Sequence, residues 1–298
     1  MEMRPFGETD MQVSVLGFGG AEIGFERAAV GDVARLLGLA LDAGLNVIDT
    51  AECYLASEEL IGQAVAGRRG DYHLFTKCGH PETAGVGDWR PESLRASIER
   101  SLKRLKTDRV DLVQLHSCSE EELRRGDVIS ALRDARDAGL TRYIGYSGDG
   151  SAARYAIESG AFDALQTSVS IADQEAIDLT LPMAADRGMG VIAKRPIANA
   201  AWRHDKEPEN GYHVAYWQRF GKLAYDFARN DHALAASTAL RFTLSVPGVH
   251  TAIVGTTKPD RWAQNAGLLE AGPLPAETFD AIRARWKAVA DSSWTGQT

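Results

Sequence analysis

What this chain lacks narrows its chemistry before any motif is read. Cysteine is scarce: three residues in 298, an odd number in so long a chain, make no disulfide framework and read as reduced thiols. A basic surplus is missing as well. Lys and Arg number 33 against 41 Asp and Glu, a formal charge of -8, and the local arginine runs are balanced by acids, which argues against a general binder of nucleic acid or anionic membrane. No stretch approaches the roughly 18 consecutive apolar residues of a membrane-spanning helix. The opening MEMRPFGETD has no apolar h-region of a signal peptide. Absent too is a GxGxxG between a strand and a helix, the mark of a Rossmann-type dinucleotide site. These absences predict a cytoplasmic protein of small-molecule chemistry.

What is present is an alternation. With 44% hydrophobic residues the chain can bury a large core. Eight short β-rich runs recur, at 13 to 20, 46 to 51, 72 to 78, 111 to 117, 143 to 148, 164 to 170, 190 to 196 and 251 to 257. Between them the period turns helical: in PESLRASIERSLKRLK, Leu94, Ile98, Leu102 and Leu105 share one face, and Pro91 suits a first helical turn. Further helices are expected at 30 to 43, 57 to 66, 127 to 138, 151 to 159, 175 to 187, 232 to 245 and 259 to 270. Gly44, Gly139, Gly160 and Gly188 stand where helices should stop. Eight βα units predict a (β/α)8 TIM barrel occupying the whole chain, 1 to 298, as a single domain. An N-terminal hairpin at about 3 to 14 should cover its bottom. The long aromatic stretch 197 to 231 reads either as a substrate-covering loop or as a satellite helix packed on the barrel wall.

Barrel chemistry gathers at the C-terminal tips of the strands. The second strand ends in Asp49 with Tyr54 shortly after, the third in Lys77, the fourth in His116. Neighbouring strands bring these four titratable groups to one rim. A phenol titrates near 10, and a nearby ammonium favours its ionised form, which makes it the better acid. Lys77 can fill that part, Asp49 can hold the ammonium, and His116 can orient a substrate oxygen by a hydrogen bond. Taken singly, Asp49 and Lys77 are as well explained by a buried ion pair, and His116 by a satisfied core histidine. Their placement on successive units is what favours a site.

Three segments resemble the aldo-keto reductase superfamily: GLNVIDTAECYLASEELIG (44 to 62), LFTKCG around Lys77, and RASIERSLKRLKTDRVDLVQLHS (95 to 117). The last combines the helix, the strand entry and the histidine at family spacing. The resemblance implies Tyr54 as general acid, Lys77 and Asp49 as the pair that tunes it, His116 as the group orienting the carbonyl, and NADP(H) extended over the barrel top. Matched cofactor positions are Gly20, Asp49, Ser147, Gln166, Lys194, Pro196, Gly255, Thr257, Lys258, Arg261, Gln264 and Asn265. A helix starting at Pro259 with Lys258 and Arg261 beside it would suit a 2'-phosphate. Three departures stand out: Leu55 where relatives usually have glycine, Gly148 where asparagine is common, and Lys194 where many stack an aromatic ring.

The expected activity is NADPH-dependent reduction of an aldehyde or ketone. Its alternatives are a sugar or alcohol dehydrogenase working oxidatively, a lyase using Lys77 as a Schiff-base amine, and a nicotinamide-binding sensor or accessory subunit with little turnover. No metal is expected, although Cys53, Cys78 and Cys118 lie near catalytic candidates, because strand alternation turns Cys78 away from the mouth. Trp89, Trp202, Tyr212, Tyr216, Trp217 and Trp294 are candidate pocket walls.

Overall fold

The computed structural model describes residues 1 to 81 and 87 to 297. Two short strands, β1 (Met3–Pro5) and β2 (Gln12–Ser14), pair antiparallel. The barrel strands follow: β3 (Leu16–Gly19), β4 (Val47–Asp49), β5 (His73–Cys78), β6 (Val110–His116), β7 (Thr141–Ser147), β8 (Ala164–Ser168), β9 (Gly190–Lys194) and β10 (Thr251–Gly255). They close as β10-β3-β4-β5-β6-β7-β8-β9, all parallel. This is the expected TIM barrel. Its helices are α1 (Ala21–Phe25), α2 (Val30–Asp42), α3 (Ser57–Val65), α4 (Pro91–Leu105), α5 (Glu120–Arg125), α6 (Asp127–Asp137), α7 (Gly150–Glu158), α8 (Glu175–Leu179), α9 (Leu181–Asp186), α10 (Gly211–Leu223), α11 (Asp226–Asn230), α12 (His232–Ser245), α13 (Pro259–Gly267) and α14 (Ala276–Val289). None of the described helices is long and apolar enough to cross a membrane.

The period of two along each strand sorts the barrel into layers. Outward residues such as Ile48, Leu74, Val113, Leu165 and Val191 pack under the helices in the main core. Inward, Val47, Phe75, Leu112, Ala164 and Ile192 form a separate apolar floor with Phe6, Met11 and Val13 of the hairpin. The hairpin therefore plugs the bottom. Two residues further along the same strands, on the same inward face, stand Asp49, Lys77, Gln114, Gln166 and Lys194, all buried. One apolar layer thus supports one polar layer at the C-terminal mouth, and the alternation written into the strands is what separates them.

Three elements depart from the expectation, and one open segment is decided. The run 13 to 20 divides at Val15, because Val13 pairs with Arg4 in the hairpin while Leu16 pairs with Ala252 in the barrel. The helix expected at 175 to 187 is two, α8 and α9, and Pro182 in the first turn of the second explains the break, since its ring has no N–H to continue the first. The helix from Pro259 ends at Gly267. Residues 197 to 231 do not form an open loop: they hold a 3-10 turn at Ala198–Arg203, then α10 and α11. Tyr216, Arg219, Phe220 and Leu223 of α10 are buried, so this helix packs inward as a satellite. Three further helices lie outside the expected ranges: the short α1 and α5, and α14, whose Phe279, Ile282 and Trp286 follow a helical spacing.

Candidate active site

Each expected catalytic side chain reaches the mouth from a different place. Asp49 ends β4, Lys77 is the penultimate residue of β5, His116 ends β6, and Tyr54 comes from the turn between β4 and α3. The Lys77 ammonium donates to Asp49 Oδ1 and, at 2.9 Å, to the Thr50 carbonyl; both side chains of the ion pair are 1% exposed. Asp49 Oδ2 accepts from the amides of Gln166 at 2.9 Å and Gln114 at 3.2 Å, and Gln166 Oε1 accepts from the Ser147 hydroxyl at 3.2 Å. Side chains of β4 to β8 are thereby joined in one hydrogen-bonded chain. Above it, Lys77 Nζ lies 5.1 Å from the centroid of the Tyr54 ring. That ring meets His116 edge-on at 5.6 Å. All four residues converge.

Their protonation follows from burial. Desolvation first, then the charge of Asp49, pushes the Tyr54 phenol well above its ordinary value, so the hydroxyl keeps its proton at neutral pH. Desolvation and then the Lys77 ammonium hold His116 well below the usual imidazole range. The ring is neutral. A histidine whose folded value is depressed leaves the proton to the unfolded state, so stability is lost as pH falls below the unfolded value of about 6.5. His116→Gln is expected to shrink the loss of melting temperature between about pH 7 and pH 5, read by thermal unfolding; an unchanged loss would assign that limb to the other histidines whose values burial lowers, His73, His213 and His250.

The Tyr54 turn is built tightly. Its carbonyl accepts from Ser57 N at 3.0 Å, and the Ser57 hydroxyl donates to the Gly20 carbonyl at 2.7 Å. Gly24 in α1 lies so close that a Cβ there would fall 1.9 Å from the Tyr54 carbonyl oxygen. Leu55 sits at φ +48, the left-handed region in which an L side chain is strained. Glycine adopts that conformation without strain. The left-handed state costs a non-glycine residue roughly 1–2 kcal/mol, and a glycine's extra freedom when unfolded offsets about 0.5–1 of it. Since Leu55 is 39% exposed, Leu55→Gly is expected to raise stability by about 0.5 kcal/mol in denaturant unfolding. A loss of stability would mean that the leucine side chain packs to more effect than the strain costs. Gly148, the second departure, also has a steric cause: a Cβ there would meet the Tyr146 hydroxyl at 2.6 Å, and that hydroxyl donates to the Cys118 carbonyl at 2.7 Å.

The expected cofactor positions fall into two groups. Ser147, Gln166 and Asp49 belong to the chain of hydrogen bonds just described, and Gly20 N donates to the Asp49 carbonyl at 2.7 Å. At the other side, Thr257 donates to Glu26 at 2.8 Å, and Gly255 leaves room for Glu22, whose carboxylate a Cβ would strike at 1.6 Å. Lys258 caps α13, with Arg261, Gln264 and Asn265 on that helix. Among the described residues neither Lys258 nor Arg261 enters an ion pair, whereas Asp260 is taken by Arg35. Lys194 pairs with Asp149 at 2.8 Å and donates to the Gln297 carbonyl at 3.1 Å. Its charge is therefore answered from within the protein. Pro196 is buried, and its carbonyl accepts from Thr243 at 3.2 Å. A nicotinamide dinucleotide suits this set: an amide and a hydroxyl at strand tips match a carboxamide, the buried Gln114 Oε1 has no partner among the described residues, and two unpaired cations flank a helix start.

The aromatic candidates separate in the same way. Tyr212 is exposed, its ring 5.2 Å from the Arg195 guanidinium. Tyr216 is buried and donates to Asp173 through its hydroxyl, beside Arg219. Trp217 donates to the His204 carbonyl at 2.9 Å, and Trp202 packs edge-on to Phe220. Trp89 lies edge-on to His80, which in turn lies edge-on to His116. Trp294 is packed against Trp286 and under Arg219, in a tail whose Thr295 carbonyl accepts from Arg219 at 2.7 Å. It is a core contact of that tail. Of the thiols, Cys78 and Cys118 are buried and Cys53 half-buried. Gln114 escaped the sequence reading, yet Leu112, Gln114 and His116 alternate on one strand face, and a glutamine on an inward face needs partners.

A parallel eight-stranded barrel with an acid, an amine, a phenol and an imidazole at its mouth defines a barrel oxidoreductase. The aldo/keto reductase family model matches residues 15–287, and the chain belongs to that family. It is 27% identical to L-galactose dehydrogenase of Arabidopsis thaliana over 99% of this chain and 97% of that protein. It is 31% identical to an NADH-specific methylglyoxal reductase of Escherichia coli over 66% of this chain and 68% of that one. Among solved structures, the aldo-keto reductase AKR11C1 from Bacillus halodurans in its holo form superposes with a TM-score of 0.81 at 27% identity, covering 99% of both chains. The protein is an NAD(P)H-dependent oxidoreductase.

Proposed function

We propose that this chain reduces an aldehyde or ketone to the alcohol with NADPH, Tyr54 serving as general acid. The observation that carries the reading is the contact of a protonated phenol and a neutral imidazole above the buried Lys77–Asp49 pair. When bound, a nicotinamide would supply the hydride chemistry for the carbonyl carbon. His116 donates a hydrogen bond to the carbonyl oxygen and orients it beside Tyr54. As charge develops on that oxygen, the Tyr54 phenol gives up its proton to it, and the Lys77 ammonium, held by Asp49, stabilises the phenolate left behind. Solvent then returns the proton. Ser147 and Gln166 would hold the nicotinamide carboxamide, and Lys258 and Arg261 a 2'-phosphate.

A Schiff-base role for Lys77 finds less support, since its nitrogen is a charged donor to Asp49 and the Thr50 carbonyl. The oxidative direction on a sugar is the second reading, favoured by the dehydrogenase named among the relatives. The test is a screen of NADPH and NADH oxidation over aldehydes, ketones, keto-sugars and quinones, paired with NADP and NAD reduction over aldoses and alcohols. Turnover of at least one carbonyl class with NADPH preferred is the expected result. Tight NADPH binding with no turnover in either direction would make the chain a sensor, and an NADH preference would remove the role given to Lys258 and Arg261.

A further inference from the structure

Cys53 touches His116 and nothing in the proposed chemistry uses it. Its sulfur lies 3.4 Å from His116 Nδ1, at the base of the turn that carries Tyr54. Among the described residues the other ring nitrogen, Nε2, has no hydrogen-bond partner, and it is not an atom sealed from solvent. A neutral imidazole carries one proton, on one nitrogen or the other, and a hydrogen bond to the first decides the state of the second. We infer that Cys53 is a positioning residue: its S–H donates to His116 Nδ1 and so fixes the ring proton on Nε2, the nitrogen free to donate to a substrate oxygen.

Two arrangements satisfy the 3.4 Å contact, S–H to nitrogen or Nδ1–H to sulfur. The imidazole lone pair is the stronger acceptor and thiol sulfur a weak one, so the first arrangement wins when both groups are neutral. Both are neutral here. Desolvation raises the Cys53 thiol to about 11 despite Lys77 nearby, and His116 is held uncharged by burial with Lys77, His80, Lys194 and Arg195 around it. With the wrong tautomer Nε2 would offer a lone pair to a carbonyl oxygen, lone pair against lone pair, and the orienting bond would be lost. The inference rests on the role given to His116 above, but the state of the ring can be read without substrate.

The experiment uses full-length protein labelled with 15N-histidine, the His116 resonances assigned by difference from His116→Gln. In the unmodified protein Nδ1 is expected in the unprotonated range and Nε2 in the protonated one. Cys53→Ala is expected to mix the two tautomers and lower kcat about tenfold with NADPH affinity unchanged, while Cys53→Ser, which keeps a donor, restores both. Protonated Nδ1 in the unmodified protein, or a Cys53→Ala spectrum identical to it, would overturn the inference. Should Cys53→Ala fail to fold, the unmodified and serine spectra still decide. A normal tautomer shift in a protein that turns over no carbonyl would leave the role of Cys53 toward the ring intact and remove the reductase reading alone.

Discussion

Tyr54→Phe is expected to lower carbonyl reduction by about 10²–10⁴-fold, the range a positioned general acid contributes, with folding and NADPH binding retained. The phenol hydroxyl has no protein hydrogen-bond partner among the described residues and is not sealed from solvent, so removing it strands no buried group. The ring contacts survive, because Phe25 at 5.7 Å, His116 at 5.6 Å and the Lys77 ammonium at 5.1 Å are measured to the ring that phenylalanine keeps. Steady-state kinetics with the best carbonyl of the screen and titration with NADPH separate the two effects. Turnover within a few-fold of the unmodified enzyme would strip Tyr54 of its part. Loss of cofactor binding together with turnover would show instead that the ring supports the cofactor site.

The barrel and its polar mouth were legible because both rest on local regularities. A period of two along each strand puts Val47 and Asp49, Phe75 and Lys77, Leu112 and His116 on inward faces, and glycines after the helices mark the returns. What stayed hidden depends on contacts between segments far apart in the chain. Nothing near Gly148 announces that Tyr146 folds back over it, and nothing near Lys194 announces that Asp149 and the Gln297 carbonyl will take its charge. The expected influence of Lys77 on Tyr54 shows the same limit. Proximity of an ammonium suggests a lowered phenol, but the degree of burial, which no spacing reveals, sets the direction opposite. The stretch 197 to 231 was read as loop or helix because its aromatics fit both; Arg219, buried against Asp173 and the Ala172 carbonyl at 3.0 Å, decides for a packed helix.

Lys77→Met should destabilise the fold by about 3 to 5 kcal/mol, the usual result of removing one partner from a buried ion pair. The methionine replaces the stem well enough, but Asp49 would remain 1% exposed, with only the two amides of Gln114 and Gln166 as side-chain donors among the described residues. The cost therefore arises from the stranded carboxylate more than from a lost attraction. It follows that Asp49→Asn placed on top of Lys77→Met should recover much of the stability, since the charge left alone is then gone. Activity should not recover, because the phenolate left by proton transfer loses the ammonium that lies 5.1 Å from its ring. Denaturant unfolding of the two single variants and the double, set beside their turnover, tests both halves of this argument. Stability that stays low in the double variant would mean the lysine acts through packing and its bond to the Thr50 carbonyl. Turnover that returns with stability would mean the pair holds the barrel mouth in shape and takes no part in moving the proton.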